Sequence, residues 1–345
     1  MIRVEVSLLL LLLLLLHYSS ILMTTTNEHY LIAASVAPTT HLKYTNALNK
    51  FQHYLLRRHN YKLNDLHSRP ALLDSLLVEY LHYLYESTDT IRSATVGNYT
   101  IAGLVRHFGV SNTNIHRSRL AVRGWDRIYS QHKHKRPPVT LEVATLIAVV
   151  LAKAGHHKAA VATLLAFHCY LRINEYCKLK VHEVVFAGDS RMGSAMTVLA
   201  TIKLSRTKTG DNQNVSVTDV NIVALLKNLV NNAGTGTGRS SLLFELTASQ
   251  YRRLFHQAVS ALGLDDIGYK PHSLRHGGAT FHYMSGVPLL SIINRGRWAS
   301  EKSLKTYINA GTVFLMDGRL SDTLFEAAQL LYKHICVVLY SLQSS

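Results

Sequence analysis

Near the C-terminal end of this 345-residue chain, His272-Ser-Leu-Arg275-His276 is followed 23 positions after Arg275 by Trp298, and nine positions further on by Tyr307. A phenol can attack a phosphodiester only where the charge on the phosphorus oxygens is neutralised and a proton acceptor or donor lies close by. Arginine supplies the first and histidine the second. An HxLRH string alone is short enough to arise by chance, and a histidine in a helical segment is more often simply packed. Two cations further upstream strengthen it. Arg172 stands in Cys169-Tyr-Leu-Arg-Ile-Asn-Glu175, where one helical pattern ends and another begins, and Lys208 stands in Ser205-Arg-Thr-Lys-Thr-Gly210, at the tip of an expected hairpin. Both are turn positions, where functional side chains concentrate.

The chain carries 37 Lys and Arg against 21 Asp and Glu, a formal net charge of +16. A surplus of that size points to a polyanionic partner, nucleic acid foremost, with a solvated basic surface as the bland alternative. With 48% hydrophobic residues the composition is that of a compact globular protein and excludes a basic disordered tail. Cys169, Cys177 and Cys336 form neither a CxxC pair nor a disulfide framework, and read as core fillers in a reducing compartment. His132, His134 and His156-His157 lack a cysteine or carboxylate at ligand spacing, so no metal is expected. Leu8 to Leu16 is an unbroken run of nine leucines, short of the roughly 20 residues needed to cross a bilayer core, and no membrane partner is expected. Residues 1–38 read as a low-complexity leader outside the fold, with a cleaved signal as the alternative.

The elements that must position these groups follow from periodicity. After a break at Pro38, Tyr44, Leu48, Phe51 and Leu55 recur at three- and four-residue spacing, which predicts an amphipathic helix capped by Thr39 or Thr40. Lys43, Lys50 and Arg57 are seven apart and share one face of it beside Arg58, either solvated or in contact with phosphates. Helical patterns over 71–86, 93–108 and 115–130 complete an all-α bundle over 39–131. A linker over 132–138 follows, in which Lys133, Lys135 and Arg136 can track phosphates before Pro137-Pro138 breaks any helix.

The second domain, 139–331, opens with apolar helices over 139–154 and 157–167. Short strands are expected over 184–186, 196–204 and 215–217, the last pairing back across Gly210-Asp211-Asn212. Helices resume over 221–232, 248–262, 272–284, 289–295, 301–309 and 321–332, ahead of a tail over 332–345. Tyr307 then falls in the second turn of a short helix capped by Ser300. The fold class is mainly α in two domains, a helical bundle followed by an α-rich domain with a small antiparallel sheet.

These residues resemble the tyrosine recombinase, or phage integrase, family, over about 39–331. The family pattern is an arginine with an acid three residues later, a lysine on a β-hairpin, HxxR, a His or Trp after glycine, and a tyrosine nine positions beyond. Arg172, Glu175, Lys208, His272, Arg275, Trp298 and Tyr307 fall on these positions in order. Trp298 in Gly296-Arg-Trp, and the Arg-Thr-Lys-Thr run around Lys208, are similar to the Cre-like and eukaryotic mobile-element branches. Gly277-Gly278 stands where bacterial members usually carry bulkier residues, and points to the eukaryotic relatives.

The resemblance implies a core-binding helical domain, a catalytic domain of the DNA breaking-rejoining fold, and a site-specific recombinase that works without metal or ATP. Arg172 and Arg275 would hold the non-bridging oxygens of the scissile phosphate, with an ion pair to Glu175 as the alternative role of Arg172. Lys208, flanked by Arg206 as a phosphate contact or strand-edge charge, would protonate the leaving 5′-oxygen. His272 would assist proton transfer, Trp298 would donate its indole N–H or simply pack, and Tyr307 would form a 3′-phosphotyrosyl link. The implied partners are double-stranded DNA and further copies of the chain, four in a synaptic complex, inside the cell and in the nucleus of a eukaryotic source. The segment 324–342 is apolar enough to dock into a neighbouring protomer, with an ordinary intramolecular helix as an equal alternative. A type IB topoisomerase and a decayed transposon relative that only binds DNA are the competing functions.

Overall fold

The computed structural model describes residues 34–87, 94–130, 137–189, 199–207, 210–233, 241–308 and 310–344. They fall into two compact units that divide between His134 and Lys135. The leader through residue 33, and with it the leucine run, lies outside the described residues, as do Lys133, Lys135 and Arg136.

Among the described residues the first unit holds four α-helices, α1 (Pro38–His59), α2 (Pro70–Glu86), α3 (Thr95–Phe108) and α4 (His116–Ser130), with a 3-10 turn at Leu63–Leu66. The cap of α1 lies two or three residues before the expected Thr39 or Thr40: Ala37 is the N-cap, without a side-chain bond, and Pro38 is the first helical residue. Proline needs no partner for a missing N–H and its φ is preset for a helix, so it starts the element itself. Ala47, Leu48, Phe51, Tyr54 and Leu55 turn inward. Tyr44 remains half-buried. On the outer face Lys43, Lys50 and Arg57 are exposed; the Lys43 ammonium sits 5.6 Å from the centre of the Tyr99 ring. Asp74 on α2 receives the first turn of α4, its carboxylate accepting from the backbone N–H of Arg117 at 3.0 Å and of Ser118 at 2.9 Å, which satisfies donors a helix start leaves open.

The second unit is built on α5 (Leu141–Lys153) and α6 (His157–His168), whose faces are apolar nearly all round and therefore lie inside. Thr140 caps α5, its Oγ1 accepting from Val143 N at 3.3 Å. The short helix α7 (Ile173–Tyr176) is followed by an antiparallel sheet in the order β1 (Val184–Phe186), β2 (Ala200–Thr207), β3 (Gly210–Val217). Ala200, Ile202, Leu204, Val215 and Val217 line its buried face, in the two-residue period read from the sequence.

The expected turn at Gly210-Asp211-Asn212 is corrected. Thr207 pairs with Gly210 and Arg206 with Asp211, so those three residues belong to β3. Gly210 opens the strand at φ +148, a conformation that suits glycine, so its turn chemistry marks the edge of the hairpin and not its tip. Lys208 lies between these paired ends, outside the described residues.

Helices α8 (Val220–Ala233), α9 (Ala248–Ala261), α10 (Pro271–Met284), α11 (Leu289–Gly296), α12 (Glu301–Lys305), α13 (Ala310–Asp317), α14 (Asp322–Lys333) and α15 (Ile335–Ser344) complete the unit. Two glycines fix how α10 sits. A Cβ on Gly277 would come within 1.7 Å of the Val139 carbonyl oxygen, and one on Gly278 within 1.9 Å of the Phe167 carbonyl oxygen. Backbone therefore packs directly on backbone, and the departure noted in the sequence has a steric cause. The chain's last two helices fold back on their own unit: Ala328, Ile335 and Leu339 enter its core. Tyr332 donates to Asp219 Oδ2 at 2.7 Å and lies 2.8 Å from His168 Nε2. Tyr340 donates to the Ala224 carbonyl at 3.2 Å. Among the described residues no helix is long and apolar enough to cross a membrane.

Candidate active site

Helix α10 carries His272, Arg275 and His276 toward α11 and α12. Arg275 is fully buried. Its Nη1 donates to the Tyr170 carbonyl and its Nη2 to the Gly296 carbonyl at 2.7 Å. Both acceptors occupy tight bends: Tyr170 follows α6 at φ +52, and Gly296 ends α11. The guanidinium lies 4.3 Å from the Trp298 ring centre and 5.3 Å from that of Tyr307. It is thus aimed by two carbonyls and framed by two aromatic faces, which suit a cation.

Tyr307 lies just beyond α12, and the reading that put it inside that helix is corrected. Ser300 caps α12 as expected, accepting from Ser303 N at 3.2 Å, but the helix stops at Lys305. The Tyr307 N–H turns back to the Leu304 carbonyl at 2.7 Å, and its own carbonyl accepts from the Thr280 hydroxyl at 3.3 Å. These bonds bring the half-buried ring into a box of aromatics. His276 stacks on it with ring centres 4.5 Å apart and planes at 28°. His272 meets it edge-on at 5.6 Å, and Trp298 lies tilted at 5.0 Å.

Trp298 is held by a glycine. A Cβ at Gly296 would stand 1.7 Å from the indole Cζ3, so only glycine lets the ring lie against the end of α11. Arg297 between them takes the left-handed conformation at φ +54, which reverses the chain toward α12.

Arg172 precedes α7, and Glu175 on its first turn accepts from Arg172 N at 2.8 Å and from Arg172 Nη1 at 2.8 Å. The ion pair weighed as the alternative role of Arg172 is therefore present. Its guanidinium is 23% exposed, so the pair leaves it open to a ligand. Arg297, 5% exposed, donates from Nη2 to the other Glu175 oxygen at 2.6 Å. Burial first, and then the neighbouring charges of Arg172 and Arg297, hold the Arg275 guanidinium below the usual arginine value, though well inside the range in which arginine stays charged.

Four donors here, Arg275 Nε, Arg297 Nε and Nη1, and Trp298 Nε1, are buried with no hydrogen-bond partner. Leaving a buried donor unmade costs about 1–3 kcal/mol, more when it is charged. Two guanidinium groups share the Glu175 carboxylate, and the third, that of Arg275, is held by backbone carbonyls alone. Such an excess of cationic donors is suited to the oxygens of an anion of phosphate geometry.

Of the residues singled out by sequence, the structure brings Arg275, His272, Trp298 and Tyr307 together, and Arg172 is tied to them through Glu175 and Arg297, which follows the Gly296 carbonyl that Arg275 bonds. Arg206 is placed as a backbone position of β2. Lys43, Lys50 and Arg57 belong to the first unit. Sequence reading gave no role to Arg297, His276 or Tyr170; the signals were there only as the neighbours of Trp298, Arg275 and Arg172.

The model of the phage integrase family matches residues 140–312, half of the chain. The chain belongs to the phage integrase family. Its members are tyrosine recombinases, which are enzymes. Among solved structures this integrase-family chain is similar to the crystal structure of XerA recombinase, at 15% identity and a TM-score of 0.40, over 84% of this chain and 98% of that one. It is also similar to XerH site-specific recombinase bound to its difH substrate, at 16% identity and 0.43, over 87% and 92%. The Tn1549 transposon integrase in complex with circular intermediate DNA matches at 13% and 0.43, over 78% and 98%. No curated protein matches.

Proposed function

We propose that this protein is a site-specific DNA recombinase or integrase that cuts and rejoins strands through a covalent bond to Tyr307. The observation that carries the reading is the Tyr307 ring held 5.3 Å from a buried, carbonyl-aimed Arg275 and between two histidines. In the forward step the Tyr307 oxygen attacks phosphorus and its proton passes to His272. The bond from phosphorus to the 5′-oxygen breaks, and Lys208 protonates that oxygen. A 3′-phosphotyrosine and a 5′-hydroxyl result. A second strand's 5′-hydroxyl then attacks the ester and releases Tyr307. One phosphate ester replaces another, so the balance needs neither ATP nor a metal.

Arg172 and Arg275 would neutralise the non-bridging oxygens, and the Trp298 indole N–H, buried without an acceptor, would reach one of them. The exposed Lys43, Lys50 and Arg57 would contact DNA phosphates, as would Lys133, Lys135, Arg136 and Arg206. Strand exchange between two sites calls for several copies, four in the synaptic complex, acting on DNA inside the cell and in the nucleus of a eukaryotic host.

The test is capture of covalent protein–DNA adducts. Wild type and Tyr307→Phe are incubated with a library of nicked duplexes, denatured, and the retained DNA is sequenced. Adducts from wild type alone support the reading. Equal adducts from Tyr307→Phe, or none from wild type, defeat it.

A further inference from the structure

Arg297 occupies a place that costs the chain strain. It closes α11 in the left-handed conformation at φ +54, where glycine or asparagine is the usual residue. Its side chain is nevertheless turned inward and only 5% exposed, and it bonds Glu175 through a single nitrogen at 2.6 Å. Glu175 is itself 5% exposed, with Arg172 on its other oxygen at 2.8 Å. One carboxylate is thus braced between two arginines that lie 125 positions apart in the chain.

Charge arithmetic gives this arrangement a consequence. An isolated Arg172–Glu175 pair is neutral and has little pull on an anion. With Arg297 on the second oxygen the trio carries one net positive charge, and with Arg275 the cluster carries two. Arg172 is then paired, and so held in place, without being neutralised. The Nε and Nη1 of Arg297, buried without a partner, add donors beside that carboxylate.

We infer that Arg297 is a positioning residue which, by sharing Glu175, keeps Arg172 from being neutralised by its partner and leaves it available to a phosphate oxygen. This rests on the reading of the site as a phosphodiester pocket. The contact is made by one nitrogen, so charge and not the guanidinium fork is what Arg297 contributes, and lysine can stand in for it.

The test is binding of orthovanadate to the full chain by calorimetry, with adduct formation measured in parallel. Arg297→Met should weaken vanadate binding about ten-fold or more, because one charge leaves the cluster. Adding Glu175→Gln restores the count of two and should recover binding to within about three-fold of wild type, although it removes a second contact. A residue that served only to hold the fold would give the opposite, a double variant worse than the single one. Arg297→Lys is the second variant, expected within about three-fold of wild type and informative even if Arg297→Met does not fold. Wild-type binding by Arg297→Met, no recovery in the double variant, or a loss in Arg297→Lys as large as that in Arg297→Met overturns the proposal. Absence of both vanadate binding and adducts in wild type would instead overturn the function itself.

Discussion

Arg275 and Tyr307, 32 positions apart in sequence, stand with the guanidinium 5.3 Å from the phenol ring centre, and Arg275 reaches this place by donating to two backbone carbonyls. The cation cannot leave this place without breaking its bonds to the Tyr170 and Gly296 carbonyls. Arg275→Lys keeps the charge but loses one of these bonds. It should lower the rate of adduct formation by about a hundred-fold or more and cost about 1–3 kcal/mol of stability, read by single-turnover cleavage and denaturant melts. An unchanged rate would show that two-carbonyl aiming is unnecessary.

The glycine pair on α10 predicts a large and local effect. Gly277→Ala or Gly278→Ala puts a methyl group into a backbone carbonyl of the next element, an overpacking that should cost about 3 kcal/mol or more. Gly124→Ala, inside α4 with nothing within 4 Å of the added carbon, should stabilise the first unit by about 0.5–1 kcal/mol. Melting curves of the three variants side by side check both signs.

At Gly296 the added carbon would strike the indole of Trp298, a side chain that can swing. Gly296→Ala should therefore slow adduct formation at least about ten-fold while leaving most of the stability in place. Near-normal cleavage would mean that the indole has no part in the site.

His168, buried beside Tyr332 and Asp219, gives a pH dependence. Burial above all, opposed by Asp219 and assisted by His282 and Arg295, lowers its pKa from 6.5 to about 4. Above pH 6.5 the imidazole is neutral in both folded and unfolded chains and nothing is lost. Between about pH 6.5 and 4 the unfolded chain takes up a proton that the folded one refuses, so stability falls as pH falls, by about 3 kcal/mol in all. His168→Gln should flatten that part of the profile in urea melts between pH 7 and 4. An equal slope in the variant would place the titration elsewhere.

Much of this protein is determined by its sequence alone. Apolar residues spaced at 3.6 or 2 report which face of an element must leave water, and that is a local property, so helix α1, the α5–α6 pair and the alternation of β2 were readable. The spacing from Arg275 to Trp298 to Tyr307 was equally visible, since a site built on consecutive helices keeps its members close in the chain.

Tertiary structure decided what depends on two distant segments meeting. Gly277 and Gly278 are ordinary glycines until Val139 and Phe167 stand against them. Nothing in the periodicity of 324–342 paired Tyr332 with Asp219, the residue before α8, or Tyr340 with the Ala224 carbonyl on it. Arg297 was one basic residue among 37 until Glu175, 122 positions upstream, was found between it and Arg172. Periodicity records that a side chain is buried; only packing specifies what it is buried against, and a charge takes its meaning from that partner.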